Sequence, residues 1–111
     1  MNIQIIGTKK SNNTKKAIRF FKERNVKFHF MDLNERKISE GELSNILAKI
    51  SVDDLLDKES QAYKKRGFAY MEFDTVEEIL EDNNLMRTPV IRNGKEVTVG
   101  NAMEVWKQWL K

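Results

Sequence analysis

The chain begins with an apolar segment that leads through a short turn into an amphipathic helix pattern. Ile3, Ile5 and Ile6 predict a β-strand, and the turn starts at Gly7. Apolar side chains then recur at helical spacing from Ala17 onward. A strand that leads directly into a crossover helix requires a second, parallel strand beyond that helix. This beginning restricts the chain to folds of the α/β class.

The turn between the strand and the helix, Gly7–Ala17, is polar and rich in lysine. The first N–H groups of a helix have no intrahelical acceptor, and the helix N-terminus carries partial positive charge, so such a turn suits an anion or a thiolate. Ser11 occupies its centre, and Asn13 is the predicted N-cap of the helix. Four cations flank the centre: Lys9, Lys10, Lys15 and Lys16.

The rest of the chain continues the alternation of strands and helices. Its patterns predict a strand over 26–32, helical segments over 39–50, 52–56, 60–65 and 75–81, strands over 90–92 and 97–99, and a final helix. Ser39 and Glu42 have capping-box spacing, and Asn101 is the predicted cap of the last helix. Asn93-Gly94 is a strong hairpin signal between the last two strands.

This order is a βαβ unit, a helical insertion and a ββα unit. The crossover requires parallel strands and the Asn-Gly turn requires an antiparallel pair, so we expect a four-stranded mixed sheet flanked by helices in a single domain over 1–111. This is the thioredoxin architecture. Pro89, the only proline, directly precedes the third predicted strand. In that architecture a proline at this point is cis, so we expect a cis peptide bond before Pro89.

Composition narrows the functional classes. The 20 basic and 17 acidic residues are intermixed, so we expect no direct binding of nucleic acid. No apolar stretch approaches the about 20 residues that span a bilayer, and Lys9 and Lys10 interrupt the apolar N-terminal segment, so a cytoplasmic protein without membrane contact is expected. The chain has no cysteine and one histidine, His29, so we expect no disulfide, no cysteine catalysis, no metal site and no bound cofactor.

The motifs resemble those of the arsenate reductase-like (ArsC) family, which includes the Spx-type transcriptional regulators. The segment Gly7–Ala17 and the helix after it resemble the family's first loop and helix. Residues 85–100, around Pro89, resemble its proline-containing strand and hairpin, and residues 55–57 and 63–65 its middle helical segment. The similarity covers nearly the whole chain and implies the thioredoxin-like fold.

Three positions depart from the family pattern. The nucleophilic cysteine of the family falls at Ser11, and a serine hydroxyl needs an adjacent base to become reactive. Glu59 stands where the family often has an arginine, and this charge would repel an oxyanion. Thr88 precedes the proline where arsenate reductases commonly have arginine, and Arg87 lies one residue earlier. We therefore do not expect thiol-dependent arsenate reduction.

The resemblance implies a candidate site at the position of the family cysteine, Ser11. The candidate anion-binding or ligand-binding residues are Lys10, Asn12, Asn13, Arg87, Thr88 and Pro89. A purely structural interpretation stays open, because serine and asparagine are typical turn and cap residues. In that interpretation the basic residues of the first helix form a solvated face, and Arg87 neutralises a nearby surface acid.

Three functions remain open. In the first, the chain is an arsenate reductase-related protein that binds a small oxyanion, glutathione or a partner protein without redox chemistry. In the second, it is a Spx-like regulator that contacts the C-terminal domain of the RNA polymerase α subunit. In the third, it is a thiol oxidoreductase whose catalytic cysteine has been replaced by Ser11. Glutathione is a candidate ligand here and not a resident cofactor.

Overall fold

The structure is a computed structural model that describes residues 1–67 and 74–111. The chain forms two compact units: Met1–Arg36 with Thr88–Lys111, and Lys37–Arg87. In chain order the elements are β1 (Ile3–Gly7), α1 (Asn12–Glu23), β2 (Phe28–Asp32), α2 (Glu40–Leu47), α3 (Val52–Leu55), α4 (Gln61–Arg66), α5 (Thr75–Glu81), a 3-10 turn (Asn83–Leu85), β3 (Val90–Asn93), β4 (Glu96–Val99) and α6 (Met103–Trp109).

The first unit contains a four-stranded mixed sheet in the order β2-β1-β3-β4. β1 and β2 are parallel, as the crossover through α1 requires. β3 is antiparallel to both β1 and β4. Gly94 and Lys95 form the turn between β3 and β4, because Asn93 still pairs with Glu96 as the last residue of β3. Gly94 has a φ of +59° that favours glycine. The predicted mixed sheet and the flanking helices are confirmed.

An aromatic core fills the space beneath α1 and α6 in the first unit. Trp106 is fully buried and contacts the rings of Phe20 and Phe21 at centroid distances of 5.5 and 5.7 Å. Its indole Nε1–H donates to Thr98 Oγ1 at 2.9 Å, which satisfies the polar group that this large side chain brings into the core. Ile3, Ile5, Ala17 and Ile91 complete the buried cluster.

The second unit is built from short helices whose first turns are capped by side chains. The capping box of α2 forms as predicted, with Ser39 Oγ bonded to Glu42 N–H and the Glu42 carboxylate bonded to Ser39 N–H. The other three N-caps are Ser51 for α3, Ser60 for α4 and Asp74 for α5. Serine and aspartate are preferred at this position because their oxygen atoms accept from the first free N–H groups.

One predicted cap lies at the wrong position. The N-cap of α6 is Ala102 and not Asn101, and the helix begins at Met103. Asn101 still contributes, because its Oδ1 accepts from Met103 N–H at 3.3 Å from just outside the helix. The asparagine side chain can reach the same N–H group from one residue earlier, which the sequence pattern does not resolve.

Candidate functional site

The turn after β1 is closed by its own backbone and leads directly into α1. Ser11 N–H donates to Thr8 O at 3.2 Å, and α1 begins at Asn12. Ser11 is the N-cap: its backbone is extended, and its Oγ accepts from Thr14 N–H at 3.2 Å. The prediction that Asn13 caps this helix is wrong, because the backbone is already helical two residues earlier than expected.

Gly7 permits the close approach of the strand and the helix at this turn. A Cβ added at Gly7 would lie 2.9 Å from Thr14 Cγ2 and 3.2 Å from Thr14 Cβ, closer than side chains tolerate. Thr14 is fully buried, so it cannot move into solvent to make room. The pair therefore fixes the start of α1 against the end of β1, which sets the position of the turn between them.

Thr14 is a site residue that the sequence alone did not single out. Its Oγ1 is buried and has no hydrogen-bond partner within the part of the chain that the structure describes. A buried hydroxyl without a partner normally costs free energy, so it marks a point where packing takes precedence over hydrogen bonding. The available signal was the glycine at the end of a predicted strand, since a glycine there often marks a close approach.

The electrostatics of the turn favour a negative group. The N–H groups of Asn12 and Asn13 lie in the first helical turn, where no intrahelical acceptor exists, and no acidic side chain occupies that turn. Lys9 and Lys10 lie just before the helix, and both are exposed. Asn12 is exposed, and Ser11 and Asn13 are half-buried, so the turn is open to solvent.

Pro89 lies at the same end of the sheet as this turn. The Thr88–Pro89 peptide bond is cis, Pro89 is buried, and Pro89 O accepts from Gly100 N–H at 2.9 Å. β1 and β3 are antiparallel with Ile6 opposite Val90, so Pro89 precedes β3 where β1 ends at Gly7. The structure thus brings the turn and Thr88-Pro89 to one end of the sheet.

The remaining candidate residue, Arg87, belongs to the second unit. Arg87 is exposed and its backbone N–H donates to Leu55 O at 2.7 Å. Within residues 1–67 and 74–111 its guanidinium forms no ion pair. Glu59, at the position where the family often has arginine, is exposed and lies 3.8 Å from Lys64 Nζ. The carboxylate is thus next to a cation within its own unit.

Ser11 has no general base beside it among the described residues. Its hydroxyl oxygen is used in the helix cap, and no histidine or carboxylate is bonded to it. His29 lies opposite Gln4 in the middle of β2, three residues before the end of the strand at Asp32. Three residues of strand span about 10 Å, so His29 is too far along the sheet to accept a proton from the turn.

No group of three or more histidine, aspartate or glutamate side chains that could hold a metal ion occurs in residues 1–67 and 74–111. In the same residues, none of the helices has the length and apolar character that a membrane crossing requires.

The sheet, the flanking helices and the turn before α1 define a thioredoxin-like α/β protein. The sequence profile of the ArsC family matches residues 6–109, so this chain belongs to the ArsC family. The resemblance that the motifs indicated is therefore confirmed. No curated protein matches this sequence significantly.

Solved structures share the fold. A YffB protein is 21% identical with a TM-score of 0.90, over 98% of this chain and 99% of that one. An arsenate reductase from Vibrio cholerae is 14% identical with a TM-score of 0.82, over 97% of each chain. A glutaredoxin from Archaeoglobus fulgidus is 14% identical with a TM-score of 0.51, over 98% of this chain and 85% of that one. At these identities the likeness shows the fold alone.

Proposed function

We propose that this ArsC-family protein binds a small oxyanion or glutathione at the turn between β1 and α1, without thiol-dependent reduction. The observation that carries the proposal is the N-terminus of α1, a 12-residue helix whose first turn contains no acidic side chain. Its free N–H groups and the adjacent Lys9 and Lys10 favour a phosphate-like or carboxylate group.

The absence of redox chemistry in the proposal follows from the composition of the site. Reduction by the family's route needs a thiolate, and the chain has no cysteine. Ser11 cannot replace it, because its hydroxyl has no general base among the described residues and its oxygen already accepts from Thr14 N–H. Binding does not depend on that hydroxyl, since the backbone N–H groups supply the contacts.

Amide NMR shifts during titration with inorganic phosphate or glutathione test the proposal. We expect the shifts to concentrate on residues 11–13 and to saturate in the millimolar range. Lys9→Gln/Lys10→Gln should weaken the binding, whereas the matched double variant Lys64→Gln/Lys65→Gln, on α4, should not. An unchanged spectrum at millimolar concentrations of both ligands would overturn the proposal.

A Ser11→Cys variant tests whether the turn favours a negative charge at this position. We expect pH-dependent alkylation to give a thiol pKa below the free-cysteine value of about 8.5, because the helix N-terminus and the lysines stabilise a thiolate. In that case a reductase assay on the variant tests whether the chain is an oxidoreductase whose cysteine was replaced by Ser11. A pKa at or above the free value would contradict the electrostatic argument.

The Spx-like interpretation stays a prediction, in which a partner protein and not a small ligand is bound. Its partner would be the C-terminal domain of the RNA polymerase α subunit. Capture of purified RNA polymerase on the immobilised protein tests it directly. The absence of any enrichment of the α subunit over a blank matrix would exclude this interpretation.

A further inference from the structure

The two units carry opposite net charge. The first unit, Met1–Arg36 with Thr88–Lys111, contains 13 lysines and arginines and five acidic residues, a formal charge of +8. The second unit, Lys37–Arg87, contains seven basic and 12 acidic residues, a formal charge of −5. The net charge of +3 for the whole chain conceals this separation. A concentration of positive charge on one unit favours the binding of negatively charged partners by that unit.

The basic charge of the first unit forms a row along α1. Lys15, Arg19 and Lys22 are spaced i, i+4 and i+7, so they lie on one face of the helix, and all three are exposed. The row is about 10 Å long at 1.5 Å per residue. Within the part of the chain that the structure describes, none of the three forms an ion pair.

Lys15, at the start of this row, does not serve the stability of α1 itself. A cation near the N-terminus of a helix opposes the helix dipole, and α1 has no acid in its first turn to offset Lys15. α2, α3 and α5 have the favourable arrangement, with two acidic side chains each in the first turn. The chain therefore uses the stabilising arrangement in the second unit and the opposite one at the N-terminal end of α1, whereas Lys22, in the last turn of α1, has a favourable position.

We propose that the row Lys15, Arg19 and Lys22 docks an acidic helical segment of a partner protein, with carboxylates at the same i, i+4 and i+7 spacing. α5 illustrates a close variant of this spacing, because its N-cap Asp74 and its residues Glu77 and Glu81 are exposed at i, i+3 and i+7. Helices that present charge at this spacing can pair side by side through carboxylate and cationic side chains. The row shares only Lys15 with the segment Gly7–Ala17, and the small-anion proposal rests on the first N–H groups of α1 with Lys9 and Lys10, so this proposal does not depend on it.

The surface chemistry favours a protein partner over a nucleic acid. Among residues 1–67 and 74–111, no phenylalanine, tyrosine or tryptophan side chain is exposed. These residues therefore offer no platform of large aromatic rings on which bases could stack. The net charge of −5 on the second unit would also repel an extended polyanion. A short acidic segment avoids both problems because it requires only the length of the row.

The test measures binding of a fluorescein-labelled, helix-forming peptide of about 18 residues that presents glutamates at i, i+4 and i+7. A second peptide has the same composition with the glutamates scattered around the helix. The measurement uses about 0.15 M salt, which screens long-range attraction to the unit as a whole. We expect micromolar-range binding of the first peptide and at least about tenfold weaker binding of the second.

Two matched triple variants locate the binding surface. K15E/R19E/K22E reverses the row, and K27E/K95E/K111E reverses three other exposed lysines of the same unit with the same change in net charge. We expect the first to weaken binding at least about tenfold and the second less than about threefold. The row variant should melt close to the wild-type temperature, because K15E is favourable near the helix N-terminus whereas K22E is unfavourable in the last turn.

Four results would overturn the proposal. The first is an equal loss of binding in both triple variants, which would indicate net charge alone. The second is equal binding of the two peptides. The third is tighter binding of a DNA duplex of about 20 base pairs through the same row. The fourth is salt-sensitive self-association in sedimentation that the row variant abolishes, which would assign the row to a second copy.

Discussion

The two units of this protein are stabilised in different ways. The first unit has a sheet and an aromatic core, with Trp106 packed against two phenylalanine rings, and its last helix, α6, has no side-chain cap. In the second unit each α-helix within residues 37–67 and 74–87 starts after a serine or aspartate whose side chain accepts from the first turn. Its short helices depend on these local contacts, because helices of this length are marginal by themselves.

The difference explains where unfavourable charges are tolerated. Burial of large aromatic groups stabilises the first unit enough to offset lysines at the wrong end of a helix, an effect of less than about 1 kcal/mol each. The second unit has its acids where the helix dipole favours them. The candidate turn and the basic row both belong to the unit with the aromatic core. The four predictions below test this contrast, from the largest expected effect to the smallest.

The aromatic core should dominate the stability of the first unit. Trp106→Ala removes a fully buried ring system and leaves Thr98 Oγ1 without its donor, so we expect a loss of about 3 to 5 kcal/mol in the free energy of unfolding. Urea denaturation followed by circular dichroism measures it. Val105→Ala, at a neighbouring position that is 43% exposed, is the control and should change stability by less than about 0.5 kcal/mol.

A buried polar side chain, Asn83, should contribute measurably to the stability of the second unit. Asn83 Oδ1 accepts from Ile38 N–H and its Nδ2–H donates to Ile79 O, both at 2.8 Å. Asn83→Ala leaves both backbone groups without a partner, so we expect a loss of about 2 to 3 kcal/mol in denaturant titration. The exposed neighbour Asn84 serves as the control, and a similar loss for Asn84→Ala would refute the assignment.

The two units should respond in opposite directions to the same glycine substitution. Gly7→Ala forces a Cβ against Thr14, so we expect a loss of about 1 to 3 kcal/mol. Gly41→Ala, in α2 where no atom lies within 4 Å of the added Cβ, should gain about 0.5 kcal/mol from helix propensity. Differential scanning calorimetry compares the two. A Gly7→Ala protein as stable as the wild type would refute the close contact.

The helix-end charges should give the smallest effects. Lys15→Glu should raise stability by about 0.3 to 0.5 kcal/mol at low salt, because a carboxylate replaces a cation near the N-terminus of α1. Glu40→Lys, at the start of α2, should lower it by a similar amount for the converse reason. Both effects should fade in about 1 M salt, and thermal melting at the two salt concentrations checks this.

Local patterns predicted most elements within one or two residues. Thr75–Glu81 forms α5 as predicted, and the strands and the hairpin turn follow from alternation and the Asn-Gly pair. The capping box of α2 was also predictable, because it needs only two side chains three residues apart. These features depend on neighbours in the sequence, so the sequence contains the information needed to predict them.

The details of the candidate site were less predictable. Ser11, Asn12 and Asn13 are three consecutive residues that all make good N-caps, so propensity does not choose among them. The packing of Thr14 on Gly7 fixes where α1 begins, and that contact joins a strand and a helix. The family resemblance groups Arg87, Thr88 and Pro89 with the turn. In the structure, Arg87 belongs to the second unit and Pro89 to the first.

The sequence by itself determined the α/β order of elements, the absence of a thiol and the lysines around the turn, because these depend on composition and local spacing. The tertiary structure alone decided that Ser11 caps α1, that Thr14 is buried against Gly7 and that Pro89 lies where β1 ends. It also decided that the two units carry net charges of opposite sign, because it joins residues 1–36 and 88–111 in one unit. These outcomes depend on strand register and close packing between segments distant in the chain, and local propensity does not specify either.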